Sequence, residues 1–292
     1  MTSFEEFTDT GDEAEDGPPP MEAGEVLAAG YTVITHLHRS NSFDVYDAWS
    51  EERACRCIAK APIPSRAGEA KTVRSLFREG RLLRKLTHPH IVRAYEVIRE
   101  PRPVVILETL TGATLSHLID TAPRRLSLAE ITHLGLHLCS AVRYLHHHDI
   151  LHLDLKPSNI VSERGMAKIL DLSIARKPGR GAKGAGTIHY LSPEQARGDI
   201  VGPPADVWGI GATLYESLTG ELPFHAESLG TDEDTGEYEQ LLRRVEPIHK
   251  HRRTPKPLAE AISECLEPAP EDRPTLVELT EKLEEFATIR AF

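Results

Sequence analysis

No apolar run in this chain approaches the roughly 18 residues needed to cross a bilayer, and the opening lacks the basic-then-apolar pattern of an export signal. Membrane and secreted classes are set aside, and a cytoplasmic protein is expected. Cysteine is scarce: Cys55, Cys57, Cys139 and Cys265 have neither a disulfide-framework spacing nor a C-x-x-C pair. Cys55 and Cys57 share one face of a candidate strand by period-two alternation, but no second ligand pair stands at zinc spacing. His146, His147, His148 and His152 read as a helix end and a loop, since no thiol or carboxylate is spaced to complete a metal site. Positive charge is missing from residues 1–30, which hold nine acidic groups and no Lys or Arg. Of 45 acidic residues in all, 36 then stand against 34 basic ones in the body, which is near neutral and offers no face for nucleic acid. With Pro18, Pro19 and Pro20, residues 1–28 have too little apolar surface to offset chain entropy, and a disordered acidic tail is expected.

The chain as a whole is ordinary in its 40% hydrophobic content and long enough for one large core or two lobes. Tyr31–Leu37, Asp44–Trp49 and Arg56–Ala61 are β-rich runs separated by turn-like clusters. Between Thr72 and Leu86, apolar Val73, Leu76, Phe77, Leu82, Leu83 and Leu86 recur at helical spacing. From Ser116 helices dominate. Ser127 and Glu130 form a capping-box signature before the stripe Ile131, Leu134, Leu138, Val142 and Leu145, and Thr275 with Glu278 repeats it. There is no internal repeat, and the β-rich part meets the helical part near Glu108–Gly112.

The chemistry concentrates in residues 152–159, His-Leu-Asp-Leu-Lys-Pro-Ser-Asn, and in Asp171-Leu172-Ser173 twelve positions after Asn159. One segment offers a carboxylate at Asp154, an ammonium at Lys156 and an amide at Asn159, and Asp171 adds a second carboxylate. Phosphoryl transfer needs a base to orient a hydroxyl, a cation for the phosphate and oxygen ligands for magnesium. Taken alone, the segment would equally be a polar turn closed by its own side chains. It is not alone. Lys60 ends Cys-Ile-Ala-Lys, Glu79 lies in Phe-Arg-Glu-Gly, and Gly186-Thr187, Ser192-Pro193-Glu194, Asp206-Val207-Trp208-Gly209 and Arg273 follow in order. This set resembles the eukaryotic-type (Hanks-type) serine/threonine protein kinases, in their bacterial branch, over about residues 30–289.

The resemblance implies an α+β, bilobal fold: a small β-rich N-lobe with one key helix over about 29–108, a hinge at about 109–112, and a larger, mostly helical C-lobe over about 113–290. It implies ATP and Mg2+ (Mn2+ as an alternative metal) as cofactors, protein serine and threonine hydroxyls as acceptors, and no nucleic-acid partner. Asp154 would orient the acceptor, Lys156 would meet the γ-phosphate, and Asn159 and Asp171 would hold the metal. Lys60, positioned by Glu79, would hold the α- and β-phosphates, with further nucleotide contacts at Val45, Ile58, Glu108 and Leu110. Glu194, Asp206 and Arg273 take structural roles, and Thr187 positions the substrate.

The departures from the pattern are local. Aligned on Val45, the three positions of the glycine-rich loop read His38, Ser40 and Phe43, although Asn41 tolerates the left-handed region. A poorer lid costing about 2 kcal/mol lowers ATP affinity roughly thirtyfold. Ile58 is larger than the usual alanine and narrows the pocket. Gly80 weakens its helix, so the Lys60–Glu79 pair is expected to form only part of the time. The alternative reading is a pseudokinase, a nucleotide-binding or scaffolding module. Leu153 replaces the arginine that reads an activating phosphate, and Ile174–Gly186 has no Ser, Thr or Tyr to carry one. Activity independent of phosphorylation there is expected, with autophosphorylation falling on Ser3, Thr8 or Thr10. The glycines of that segment make it costly to order without a partner. The basic run Arg176, Lys177, Arg180 and Lys183 could receive the acidic tail. Glu227–Glu239 reads as a solvated acidic loop.

Overall fold

The computed structural model describes residues 18–224 and 238–289. Ser3, Thr8 and Thr10, the tail up to residue 17, and residues 227–237 of the acidic stretch lie outside the described residues. The chain divides into two compact units, the first running to Thr87 and resuming from Ile91 to Thr111, the second made of His88–His90 and the chain from Gly112 on.

In the first unit, strands β1 (Val26–Ala28), β2 (Tyr31–Arg39), β3 (Phe43–Ser50), β4 (Cys55–Pro62), β5 (Ala94–Ile98) and β6 (Val104–Leu107) form an antiparallel sheet in the order β1-β2-β3-β4-β6-β5. Alternation sends Tyr46, Ala48, Cys57 and Ala59 into a core shared with Leu27, Tyr31, Val33, Val104 and Ile106. Val45, Ile58 and Lys60 fall on the opposite face, half-buried, with Val45 directly across from Lys60. Helix α1 (Ala70–Lys85) crosses from β4 to β5. Gly80 explains how closely it seats: a Cβ there would stand 2.5 Å from Val105 Cγ2 and 2.9 Å from Val97 Cγ2. The glycine gives up some helix propensity, and the tight approach it permits offsets that loss.

The expected tail is shorter than 28 residues at its folded end. Val26–Ala28 pairs with Tyr31 and Thr32, burying Leu27 and Ala28. Composition averaged over the acidic stretch concealed the apolar run Val26-Leu27-Ala28-Ala29, which has enough surface to join the sheet.

The second unit contains β7 (Ala113–Thr114), α2 (Leu115–Thr121), α3 (Leu128–His147), β8 (Ile160–Glu163), β9 (Met166–Ile169), β10 (Gly179–Arg180), α4 (Pro193–Arg197), β11 (Ile200–Val201), α5 (Pro203–Thr219), α6 (Lys256–Cys265) and α7 (Leu276–Ile289). Strands β7, β8 and β9 make an antiparallel sheet, and β10 pairs with β11. Helix α5 is buried almost along its whole length, packed by α3 and α6, with α7 against α3 and α6. Both capping boxes form as their spacing predicts, at Ser127–Glu130 and at Thr275–Glu278. His88–His90, expected with the N-lobe, belongs here instead. The His90 carbonyl accepts from Ile169 N–H at 3.0 Å, and its ring stacks on His137 at 4.2 Å. The architecture is α+β, a β-rich unit and a mainly helical one.

Candidate active site

In the first unit, Lys60 on β4 meets Glu79 on α1 through both carboxylate oxygens, Nζ lying 3.0 Å from Oε1 and 2.9 Å from Oε2. The pair is formed in spite of Gly80, and the glycine seats the helix that carries the adjacent carboxylate. The ring of Phe43 covers the same ammonium, its centroid 5.0 Å from Nζ.

Phe43 closes the β2–β3 hairpin, the place where the family pattern has glycines. None of His38, Ser40, Asn41 and Phe43 has a positive φ, so the turn needs no glycine conformation and Asn41 does not use the left-handed region. Side chains shape it instead. Ser40 Oγ accepts from Phe43 N–H at 3.1 Å, and Ser40 N–H donates to the Phe43 carbonyl at 2.9 Å. Across the hairpin, buried Asp44 receives Arg39 through Nε at 2.7 Å and Nη2 at 2.9 Å, and lies 2.9 Å from His36 Nε2. Burial works to raise the Asp44 carboxyl, but the bonds to Arg39 and His36 outweigh it and hold the group below the ordinary carboxylate range. Glu108, expected at the nucleotide, accepts from Arg93 N–H at 3.0 Å. Leu110 is half-buried.

In the second unit, Asp154, Lys156, Asn159 and Thr187 come together. Thr187 donates through N–H at 3.0 Å and Oγ1 at 2.8 Å to Asp154 Oδ1, and Asn159 Nδ2 donates at 3.1 Å to Oδ2. Lys156 Nζ stands 4.0 Å from Oδ2. Leu170 N–H donates to the Asn159 carbonyl at 2.9 Å, so the β8–β9 hairpin returns the chain beside Asn159 just before Asp171, whose Oδ1 accepts from Ser173 N–H. Asp206, 1% exposed, anchors the loop from α5: it accepts from His152 N–H at 2.9 Å and Leu153 N–H at 2.7 Å, and lies 2.8 Å from His146 Nε2. His146 thus has a structural partner that chain spacing did not reveal. Burial first of all pushes the His152 ring below its ordinary pKa. Glu194 and Arg273 form a buried two-fold pair at 2.7 and 2.9 Å, and the guanidinium also meets the carbonyls of Pro204, Glu267 and Pro268. Every donor so used offsets the loss of water that makes an isolated buried pair costly.

After Thr187, Tyr190 OH donates to Glu216 Oε2 at 2.5 Å. Burial raises the Glu216 carboxyl to about 7; the Tyr190 bond opposes the shift and the charge of Asp120 adds to it. Gln195, not singled out from the sequence although its spacing from Ser192 is a capping-box signal, donates to the carbonyls of Leu153 and Ala185.

The protein kinase domain family matches residues 31–283 of this chain. Over 168 residues the chain is 38% identical to the serine/threonine-protein kinase PknB of Mycolicibacterium smegmatis, covering 52% of this chain and 26% of that protein. It is 32% identical over 217 residues to the probable serine/threonine-protein kinase PknB of Lactococcus lactis, covering 71% and 34%. A plant protein, the SNF1-related protein kinase catalytic subunit alpha KIN12 of Arabidopsis thaliana, is 35% identical over 158 residues, covering 52% and 32%. The matched part is about a third or less of each of these relatives.

Proposed function

This chain belongs to the protein kinase domain family, and from that premise we propose that it transfers the γ-phosphate of ATP, with Mg2+, to serine or threonine hydroxyls of a protein. The observation that carries the reading is the arrangement around Asp154. A carboxylate held by Thr187 and Asn159, with an ammonium 4.0 Å away, is a fixed acceptor beside a fixed positive charge. Asp154 accepts and orients the acceptor hydroxyl, and Lys156 offsets charge on the phosphoryl group as it moves. The Thr187 hydroxyl occupies Asp154 Oδ1 and so marks where a substrate hydroxyl would arrive.

The donor set suits Mg2+. Asn159 spends its amide N–H groups on Asp154, which leaves its oxygen for a metal, and Asp171 supplies a carboxylate. One or two protein oxygens completed by phosphate and water is the usual magnesium arrangement. Bound there, the ion would neutralise phosphate charge during transfer. Lys60, fixed by Glu79, takes the α- and β-phosphates, and Val45 and Ile58 on the same sheet face, with Glu108 and Leu110, take the nucleoside.

The pseudokinase reading rests on the missing glycines. It loses weight because the hairpin keeps a defined turn through Ser40 and Arg39–Asp44. We assign residues 29–290 to the kinase domain, and the cytoplasm as its compartment. The free cysteines suit a reducing one, and among the described residues no helix is long and apolar enough to cross a membrane. Mass-spectrometric mapping of phosphorylated sites after incubation with ATP and Mg2+, beside Asp154→Asn, tests the proposal. New phosphosites with the native chain and none with the variant are expected; equal transfer by both would remove Asp154 from the mechanism.

A further inference from the structure

The segment from Ile174 to Gly186 contains no hydroxyl to phosphorylate, and Leu153 stands where many kinases carry a phosphate-reading arginine. The structure places Leu153 in an apolar cluster with Leu151, Val201, Ala205 and Ile174. Leu153 itself offers a phosphate no charge. The segment is nonetheless tied down: β10 pairs with β11, and Gly184 N–H donates to the Gln195 carbonyl at 3.0 Å.

The side chain of Gln195 does more. It is 4% exposed, and every bonding direction of its amide is used. Nε2 donates to the Leu153 carbonyl at 2.8 Å and to the Ala185 carbonyl at 3.0 Å. Oε1 accepts from Ser192 N–H at 3.3 Å and Ser192 Oγ at 3.1 Å, closing the cap of α4. Two carbonyls at one end and a backbone N–H at the other fix which end of the amide is which. The two carbonyls belong to different stretches of chain. Leu153 immediately precedes Asp154, and Ala185 lies two residues before Thr187, the residue that donates twice to Asp154.

Backbone strain points the same way. Leu153 has φ 68°, a left-handed conformation that a side chain of this kind seldom adopts and that persists only where its surroundings enforce it. Its N–H is held by Asp206 at 2.7 Å and its carbonyl by Gln195. Gly186, at φ 131°, passes so close that a Cβ would lie 3.1 Å from the Leu153 carbonyl and 2.7 Å from Leu191 Cδ2. The chain has been fitted around this bridge.

We propose that Gln195 is a positioning residue for phosphoryl transfer, a neutral clamp that holds the Asp154 loop and the Thr187 segment in register without a phosphate. The proposal rests on the kinase reading above and adds to it how the site is kept assembled. The partner that the glycine-rich segment needs in order to stay ordered is then within the chain itself.

The test uses the full chain, Mg2+ and ATP, with myelin basic protein as the acceptor. Gln195→Met keeps the volume and removes all four bonds. Gln195→Glu keeps the size and the oxygen facing Ser192 but loses the NH2 donor, and serves where the first variant folds poorly. Ser192→Ala removes the hydroxyl of the α4 cap, and with it one Gln195 bond, but leaves both carbonyl bonds in place, and so controls for a purely structural role. Both Gln195 variants are expected to lower kcat roughly tenfold or more while leaving the KM for ATP unchanged, because two buried carbonyls lose their donor. Backbone amides of residues 183–190 should exchange hydrogen faster in them. Ser192→Ala should lower the thermal midpoint and keep kcat. Native kcat in either Gln195 variant, or exchange over 183–190 equal to the native chain's, overturns the clamp. Should the native chain transfer no phosphate, the kinase reading fails, and the exchange comparison alone decides whether Gln195 holds the segment.

Discussion

The β2–β3 hairpin of the first unit and the Asp154 loop of the second each hold a short backbone stretch in one shape, and they depart from the family pattern to very different degrees. The hairpin has none of the expected glycines, yet it is closed by Ser40 and braced by Arg39–Asp44. The Asp154 loop keeps each reacting group where the pattern puts it. The difference separates two kinds of requirement. Backbone shape can be reached by several routes, since a side-chain oxygen can replace a turn carbonyl and an ion pair can fix a register. A group proposed to orient a proton or to bind magnesium has fewer routes, since it needs a titratable side chain or an oxygen ligand at one point in space.

The most severe way to break that comparison is to remove one charged group from each unit. Lys60→Met and Asp171→Asn should each lower kcat/KM by roughly a hundredfold or more, since in the proposed mechanism both act electrostatically on phosphate. Their effects on stability should differ. Glu79 is 2% exposed and would lose its main partner, so Lys60→Met should also lose about 1–3 kcal/mol in urea unfolding. Asp171→Asn should leave the midpoint where it is. Equal stability losses in the two variants would mean that the units are not distinguished as described.

A second measurement sharpens the contrast within the helical unit, where one polar contact is pH-sensitive. With Glu216 raised to about 7 by burial, the folded chain holds a proton there that an unfolded glutamate releases near 4.5. The stability this confers is present below about pH 4.5 and is lost as pH rises from there to about 7. Glu216→Gln cannot ionise. Its stability relative to the native chain should therefore rise over that interval and level off above pH 7, by at most about 3 kcal/mol. A difference that stays flat from pH 4.5 to 8 would show that the Tyr190–Glu216 contact does not titrate in this range.

The smallest expected effect lies in the hairpin. Phe43→Leu keeps the apolar contact but removes the ring facing Lys60, an attraction worth about 0.5–1 kcal/mol. If the ring competes with phosphate for the ammonium, the KM for ATP should fall about two- to fivefold with kcat unchanged. A rise in KM would make Phe43 a nucleotide contact rather than a competitor.

Much of the fold could be read from the sequence where the signal was local. Ser127 and Glu130 announce a helix start because a cap involves residues three apart, and Tyr31–Val33 alternates because one face of its strand is buried there. Asp154, Lys156, Asn159 and Asp171 stood out because the family motif sets particular groups in a particular order, and the structure brings Asp154, Lys156 and Asn159 together. The remainder depends on contacts between distant residues. Gly80 looked like a weakness until Val97 and Val105 were found against it. Gln195 carries no catalytic group, and its partners lie 42 and 10 positions away in the chain. Arg39 and Asp44 were the nearest miss. A hairpin register drawn from Val45 would have set them opposite each other, an opposite-charge pair across two strands.

Gly80 also has an evolutionary consequence. Because the space of a methyl group there is already filled by Val105 and Val97, positions 80, 97 and 105 draw on a single allotment of volume. A drift toward alanine at 80 is tolerable only in a lineage where the two valines have first given way. The order of the substitutions therefore matters: shrinking the valines first opens a small void, whereas enlarging 80 first displaces the helix that carries Glu79. The ion pair is thus guarded by three residues that carry no charge.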